Sequence, residues 1–190
     1  MGIILASASP RRKEILKNAG LVFKVCPANA DETTDKTEPC EVVTELAERK
    51  AQALDAGEDI VIAADTVVAI GREILGKPHD ENDAERMLSL LSGRVHQVYT
   101  AVSVKDKNKT VTFCEKTDVY FKELTKAQIN AYIKTGEPSD KAGAYAIQGK
   151  GAVLIKKIEG DYLNVVGLPL SRLYDVLCHD FKFKGFEINE

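Results

Sequence analysis

The sequence predicts a mixed α/β fold, an extended sheet flanked by helices, and three patterns predict it. Two short, wholly apolar runs, Ile3-Ile4-Leu5-Ala6 and Ile60-Val61-Ile62-Ala63-Ala64, have the look of strands buried on both faces. Each of several stretches between turn residues carries apolar side chains at helical spacing. After Gly93 the period changes to two, as in antiparallel strands.

Taken in order, Ile3 to Ala6 is the first strand. Ser9 then caps a helix, Pro10 suits its first position, Ile15, Leu16 and Ala19 face inward, and Gly20 ends it. Leu21 to Cys26 reads as a second strand, stopped by Pro27. Pro39 opens a longer helix with Val43, Leu46, Ala47, Lys50 (by its stem), Ala51 and Leu54 on one face. Ile60 to Ala64 runs directly into Asp65-Thr66, and Val67 to Leu75, broken at Gly71-Arg72, reads as a hairpin. Asp80 caps a helix carrying Ala84, Met87, Leu88 and Leu91, closed by Gly93. Val98, Thr100, Val102 and Val104 alternate, Asp106 to Lys109 turns, and Val111 to Phe121 returns. Thr125 and Gln128 form a capping box for a helix through Ile129, Tyr132 and Ile133 that Gly136 ends. Ala152 to Ile158 is a further strand and Pro169 to Cys178 a final helix.

The 190 residues suffice for one domain over the whole chain, or for two small lobes sharing a cleft. With 44% hydrophobic and 29% charged residues the balance is that of an ordinary globular protein. No run is long enough to span a bilayer, and Ser-Pro-Arg-Arg follows the opening apolar run too soon for a signal peptide. Gly2 suggests myristoylation, but Ala6 departs from that pattern. Cys26, Cys40, Cys114 and Cys178 are widely spaced, as expected of reduced, mostly packed thiols in a cytoplasmic protein. A net charge of −3 gives no basic footprint for polymeric nucleic acid. A bound nucleotide would be a free one, held by a local cluster of positive charge.

Ser7-Ala8-Ser9-Pro10-Arg11-Arg12 joins a buried strand to a helix N-terminus, where free N–H groups, two hydroxyls and two guanidiniums suit phosphate. An ordinary capped helix is the plainer reading, yet basic residues at that end oppose the helix dipole. Asp65 ends an apolar strand, where ligands of open α/β sheets bind; it equally suits capping a turn through Thr66. Asp31-Glu32 follows another strand and could join it. Oxygen ligands without clustered histidines imply magnesium or manganese, not zinc. His79, His96 and His179 show no ligand spacing. Lys77 lies in the Gly76-Lys77-Pro78 turn, where a solvated lysine is ordinary, and Lys50 on its apolar stripe is explained as well by snorkelling. Glu137 to Gly149 is the densest small-residue stretch. Gly143, Gly149 and Gly151 allow close backbone approach, and Asp140, Lys141 and Gln148 add polar ends. It reads as a ligand loop or as a plain glycine-rich connection into the strand at Ala152.

Together these segments resemble the Maf family of nucleotide pyrophosphatases. The matching residues are Ser7 to Arg12, Glu32, Lys50, Ala64-Asp65-Thr66, Gly76-Lys77-Pro78, Ser92-Gly93 with His96 and Thr100, Glu137-Pro138 through Gly149, and Gly167-Leu168-Pro169. They run in family order across nearly the whole chain. The resemblance implies an elongated α/β fold with a deep nucleotide cleft, akin to house-cleaning inosine triphosphatases. It implies Asp65 as the proton acceptor that activates water, and Arg11, Thr66 and Gln148 as substrate-specificity positions. Glu32, Lys50, Lys77 and Asp140 are implied as metal or phosphate contacts, with Glu32 and Asp65 the metal ligands. The Tyr145-Ala146-Ile147-Gln148-Gly149 form is similar to the subgroup acting on dTTP and UTP, not the one acting on 7-methyl-GTP. The expected activity releases pyrophosphate and a monophosphate from free triphosphates, with a divalent metal, Mg2+ or Mn2+; a homodimer is one option for the assembly. A competing reading is another base preference. A second is a nucleotide-binding regulator of septum formation, to which the family has been linked; the intact Asp65 beside the cationic set argues for catalysis.

Overall fold

A strand buried on both faces has no water to satisfy its backbone, so the apolar runs can persist only inside a sheet. The computed structural model describes residues 2–184. In chain order the elements are β1 (Ile3–Leu5), α1 (Pro10–Asn18), β2 (Lys24–Val25), α2 (Pro39–Gln52), β3 (Ile60–Ile70), β4 (Glu73–Leu75), α3 (Glu81–Leu91), β5 (Val95–Lys105), β6 (Thr110–Phe121), α4 (Lys126–Ile133), β7 (Ile155–Glu159), α5 (Tyr162–Val166) and α6 (Leu170–Phe181). The seven strands form one open mixed sheet in the order β2-β1-β3-β5-β6-β7, with β4 also paired to β3. This is the α/β architecture that the sequence predicts.

The chain divides into two compact units. Unit 1 comprises Met1–Asp65, Thr100–Cys114 and Gly167–Glu190; unit 2 comprises Thr66–Tyr99 and Glu115–Val166. In unit 1, β1 runs parallel to β2 and to β3, with Ile3 opposite Ile60 and Leu5 opposite Ile62. Ala6, Ala51, Ala56, Val61 and Ala63 form a core cluster of small side chains. Small residues let α2 lie close to the strands. The turn between β5 and β6 is closed by Asp106, whose Oδ1 accepts from the backbone N–H of Asn108 and Lys109 at 2.7 and 2.8 Å.

Unit 2 has its own core, with Leu88, Leu91, Val98, Val119, Phe121, Ile129 and Tyr145 among its members. Here β3 turns at Gly71 into β4, Val68 facing Leu75 and Ile70 facing Glu73. The predicted capping box on α4 is present: Gln128 N–H donates to Thr125 Oγ1 at 3.3 Å and Thr125 N–H to Gln128 Oε1 at 2.8 Å. Strand β7 pairs antiparallel with β6.

Four expectations are corrected. Asp65 does not end a strand, because β3 continues through it to Ile70. Only Lys24 and Val25 of the predicted 21–26 strand pair, since Gly20 and Leu21 donate their N–H groups to Lys17 and Leu16 carbonyls and finish α1 instead. The strand predicted from Ala152 starts at Ile155, after a 3-10 turn over Gly149–Leu154. The five-residue α5 went unpredicted because it is too short for a periodic stripe; Asp161 Oδ1 caps it, accepting from Leu163 N–H at 2.7 Å. The cysteines are free, as expected, but Cys26 and Cys40 are exposed rather than packed. Among the described residues no helix is long and apolar enough to cross a membrane.

His96 lies fully buried in unit 2, edge-on to the rings of Phe121 and Tyr145. Its Nε2 and the Tyr145 hydroxyl share a hydrogen bond of 2.8 Å. Burial pulls its pKa down to about 4, against a weaker upward pull from Asp118. An unfolded histidine takes up its proton near pH 6.5, so below that the unfolded state binds more protons and the fold loses stability. Lowering the pH from 7.5 to 5 should remove about 2 kcal/mol through this residue alone. Urea denaturation at both pH values measures the loss, and His96→Gln should show a correspondingly flatter dependence.

Candidate active site

The turn from β1 into α1 is built by its two serines. Ser7 Oγ is buried and accepts from Ser9 N–H at 3.2 Å and from Arg12 Nη1 at 3.1 Å. Ser9 Oγ caps α1 by accepting from Arg12 N–H at 3.5 Å. Arg12 Nε donates to the Gly167 carbonyl at 2.8 Å, which fixes the guanidinium against the chain leading into α6. Burial lowers the Arg12 pKa; Asp65 opposes the shift, neighbouring Arg11 adds to it, and Glu32 opposes it. The residue stays charged, as arginine does in proteins. Arg11 Nε is buried without a hydrogen-bond partner among the described residues. An orphaned buried donor costs about 1–3 kcal/mol, and here it sits at the positive end of a helix with no acidic residue in the first turn. That combination calls for an anion.

Lys50 is the second centre. Its ammonium lies 2.7 Å from Glu32 Oε1 and 2.6 Å from Asp65 Oδ1. Its side chain is only 14% exposed, so it does not snorkel to water: α2 delivers it to two carboxylates. Asp65, also 14% exposed, and Thr66 are the two positions of β3 that are not fully buried. Glu32 comes from the irregular segment between β2 and α2, which is tied down on both sides. Asp31 accepts from the Thr33 N–H at 2.9 Å and the Thr33 hydroxyl at 2.8 Å, which hold its pKa below the ordinary value. Arg49 on α2 holds the Thr33 carbonyl, and Glu45 accepts from the Thr34 hydroxyl. Of the Asp31-Glu32 pair, then, Asp31 spends its oxygens on its own turn and Glu32 reaches the lysine.

Unit 1 thus brings together Ser7, Ser9, Arg12, Glu32, Lys50 and Asp65, with Arg11 beside Arg12. Thr66, Lys77, Asp140 and Gln148 belong to unit 2. Thr66 and Gln148 are half-buried, and Lys77 and Asp140 exposed, Asp140 in an ion pair with Lys141. The Gly76-Lys77-Pro78 turn is joined to the glycine-rich segment, Gly143 N–H donating to the Gly76 carbonyl at 2.9 Å. Gly143 has φ +68°, and a Cβ there would press on Val68 at 3.0 Å, so a side chain at this position is strained.

Glu137, which the sequence marks only as the first residue of the small-residue stretch, organises one further group. Glu137 accepts from the Tyr132 hydroxyl at 2.9 Å, Gly151 N–H at 2.9 Å and Lys150 N–H at 3.0 Å. Burial pushes its pKa up, but these donors outweigh that and hold it below the ordinary value. Its backbone donors lie 13 and 14 positions away, beyond any local spacing that the sequence could show.

A family model described as Maf-like protein matches residues 2–179, a span that contains every site residue above. The chain belongs to the Maf family. Among its Maf relatives, a protein of Thermosipho africanus named dTTP/UTP pyrophosphatase is 51% identical over 177 residues, 93% of this chain and 92% of that one. Proteins of the same name from Bacillus cereus and Agathobacter rectalis are each 51% identical, covering 90% and 92% of this chain and 91% and 95% of their own.

The Lys50 clamp has a measurable consequence. Lys50→Met removes the ammonium that both Glu32 and Asp65 contact, and should cost about 1–3 kcal/mol of stability at pH 7. Adding Glu32→Gln to that variant should restore part of the loss, as read by urea denaturation.

Proposed function

We propose that this Maf-family chain is a nucleotide pyrophosphatase that hydrolyses dTTP and UTP to the monophosphate and pyrophosphate, acting on free nucleotides in the cytoplasm. The relatives' shared name supports the substrate at 51% identity over most of the chain. The observation that carries the chemistry is the buried, unpartnered Arg11 Nε beside Arg12, whose charge is felt by Asp65 and Glu32. It supports an anionic ligand at the very turn that adjoins the carboxylate pair.

In this reading Ser7, Ser9, Arg11, Arg12, Lys50 and Lys77 bind the triphosphate and offset the charge that develops on the leaving pyrophosphate. Asp65 is the general base. It takes the proton of the water that attacks the α-phosphorus. Glu32 and Asp65 fit a divalent metal, since their oxygens converge on one cation position, at present that of the Lys50 ammonium. Among the described residues no cluster of three or more His, Cys, Asp or Glu could hold an ion alone. Two carboxylates completed by water and phosphate oxygens is the usual set for Mg2+ or Mn2+. The ion supplies charge neutralisation to the triphosphate. Asp140 contributes at the phosphate side, and Arg11, Thr66 and Gln148 set specificity. A glutamine amide matches the uracil or thymine edge, donating N–H to O4 and accepting N3–H on its own oxygen.

Incubating the protein with UTP and magnesium should release UMP and pyrophosphate, and EDTA should abolish the release. UDP with orthophosphate as first products would refute attack at the α-phosphorus; full activity in EDTA would remove the metal. Asp65→Asn should lower kcat by roughly 10²–10⁴-fold while UTP still binds, as measured by calorimetry. Near-normal turnover in that variant would take Asp65 out of the mechanism.

A further inference from the structure

We infer that Glu137 is the positioning residue that sets Gln148 against the base, by closing residues 146–151 into a small ring from inside unit 2. The inference rests on the proposed reading of Gln148 as the residue that recognises uracil and thymine.

Both ends of the ring hang on one carboxylate. At the leading end Ala146 N–H donates to the Tyr132 hydroxyl at 3.2 Å, and that hydroxyl donates to Glu137 Oε1 at 2.9 Å. At the trailing end Gly151 N–H donates to the same Oε1 at 2.9 Å, and Lys150 N–H to Oε2 at 3.0 Å. The ends touch. A Cβ on Gly151 would overlap the Ala146 carbonyl oxygen and come within 2.6 Å of the Tyr132 hydroxyl. A Cβ on Gly149, where φ is +67°, would come within 2.8 Å of Glu137 Oε2. Gln148 lies between the two anchored ends.

Only a carboxylate suits the position. Three donors converge, and an ionised carboxylate is acceptor-only with about four lone-pair sites, whereas an amide would turn N–H groups toward N–H groups. Its support is rigid. Tyr132 is buried on α4, Pro138 is buried, and Glu137 N–H donates to Thr135 Oγ1 at 3.2 Å. The carboxylate is therefore fixed by the end of α4, and Gln148 inherits that fixity through three hydrogen bonds. A displacement of the amide by about 1 Å is enough to lose most of an oriented contact.

The test compares kcat and KM for UTP and ATP in the wild type, Gln148→Leu, Glu137→Ala, Glu137→Gln, Tyr132→Phe and the Glu137→Ala/Gln148→Leu double variant, each checked for folding by circular dichroism and melting. Glu137→Ala should raise KM for UTP about tenfold with kcat within about threefold, and pull the UTP:ATP ratio toward that of Gln148→Leu. Glu137→Gln, keeping one acceptor oxygen, should fall between. The double variant should match Gln148→Leu alone, because Glu137 acts through Gln148. A folded Glu137→Ala with an unchanged ratio, while Gln148→Leu alters it, overturns the inference and leaves the base-reading intact. An unchanged ratio in Gln148→Leu removes the base-reading and this inference together. If Glu137→Ala does not fold, Tyr132→Phe decides: it should lower the ratio, and an unchanged ratio overturns the inference.

Discussion

An interior strand with both faces covered has nowhere to put a charge, and β3 carries one halfway along its eleven residues. The positions before Asp65 and after Thr66 are all buried, so the carboxylate must find its partner within the protein. Lys50 is that partner, and much of unit 1 follows from the requirement. Helix α2 has to approach closely enough for a lysine stem to reach, which alanines at 6, 47, 51 and 63 permit. The ammonium has donors to spare, and Glu32 takes one. A charge that would only destabilise a purely structural strand becomes tolerable, and chemically available, through one helix placed beside it.

The apolar part of this design is legible in the sequence, because burial leaves a period. The strands at Ile3 and Ile60, the caps at Ser9, Asp80 and Thr125, and the stripe of α2 follow from spacing alone. The polar part is legible only as a list of residue types. Asp65-Thr66 looks like the end of a strand because a polar pair after an apolar run usually is one; what lets β3 continue is a lysine 15 residues earlier in the chain. Lys50 fits snorkelling and ion pairing equally until α2 is placed. Of Asp31 and Glu32, spacing cannot choose, whereas the Thr33 turn does. Glu137 shows the limit most plainly, since all its partners are set by how α4 and the glycine-rich segment fold together.

Each unit pairs most of its buried polar groups and leaves a ring or guanidinium nitrogen unmet. In unit 2 Asn164 donates to the Val98 carbonyl and the Thr117 hydroxyl, and His96 meets Tyr145 through Nε2 while its Nδ1 has no hydrogen-bond partner among the described residues. Such networks favour one packing arrangement over near alternatives. In unit 1 the Arg11 donor is left open at a helix start. An unmet group of that kind lowers stability in the free protein, and a ligand that satisfies it gains what the fold has given up.

The chain passes between the units four times, and unit 1 draws on segments near both of its extremes. Arg12, whose side chain is anchored by Gly167, must wait for a residue 155 positions later. At a synthesis rate of about 5–20 residues per second that is roughly 10–30 s during which the turn from β1 into α1 exists on the ribosome without its anchor. Neither unit is a contiguous stretch of chain, so neither can be excised by cutting the chain at two points without taking part of the other.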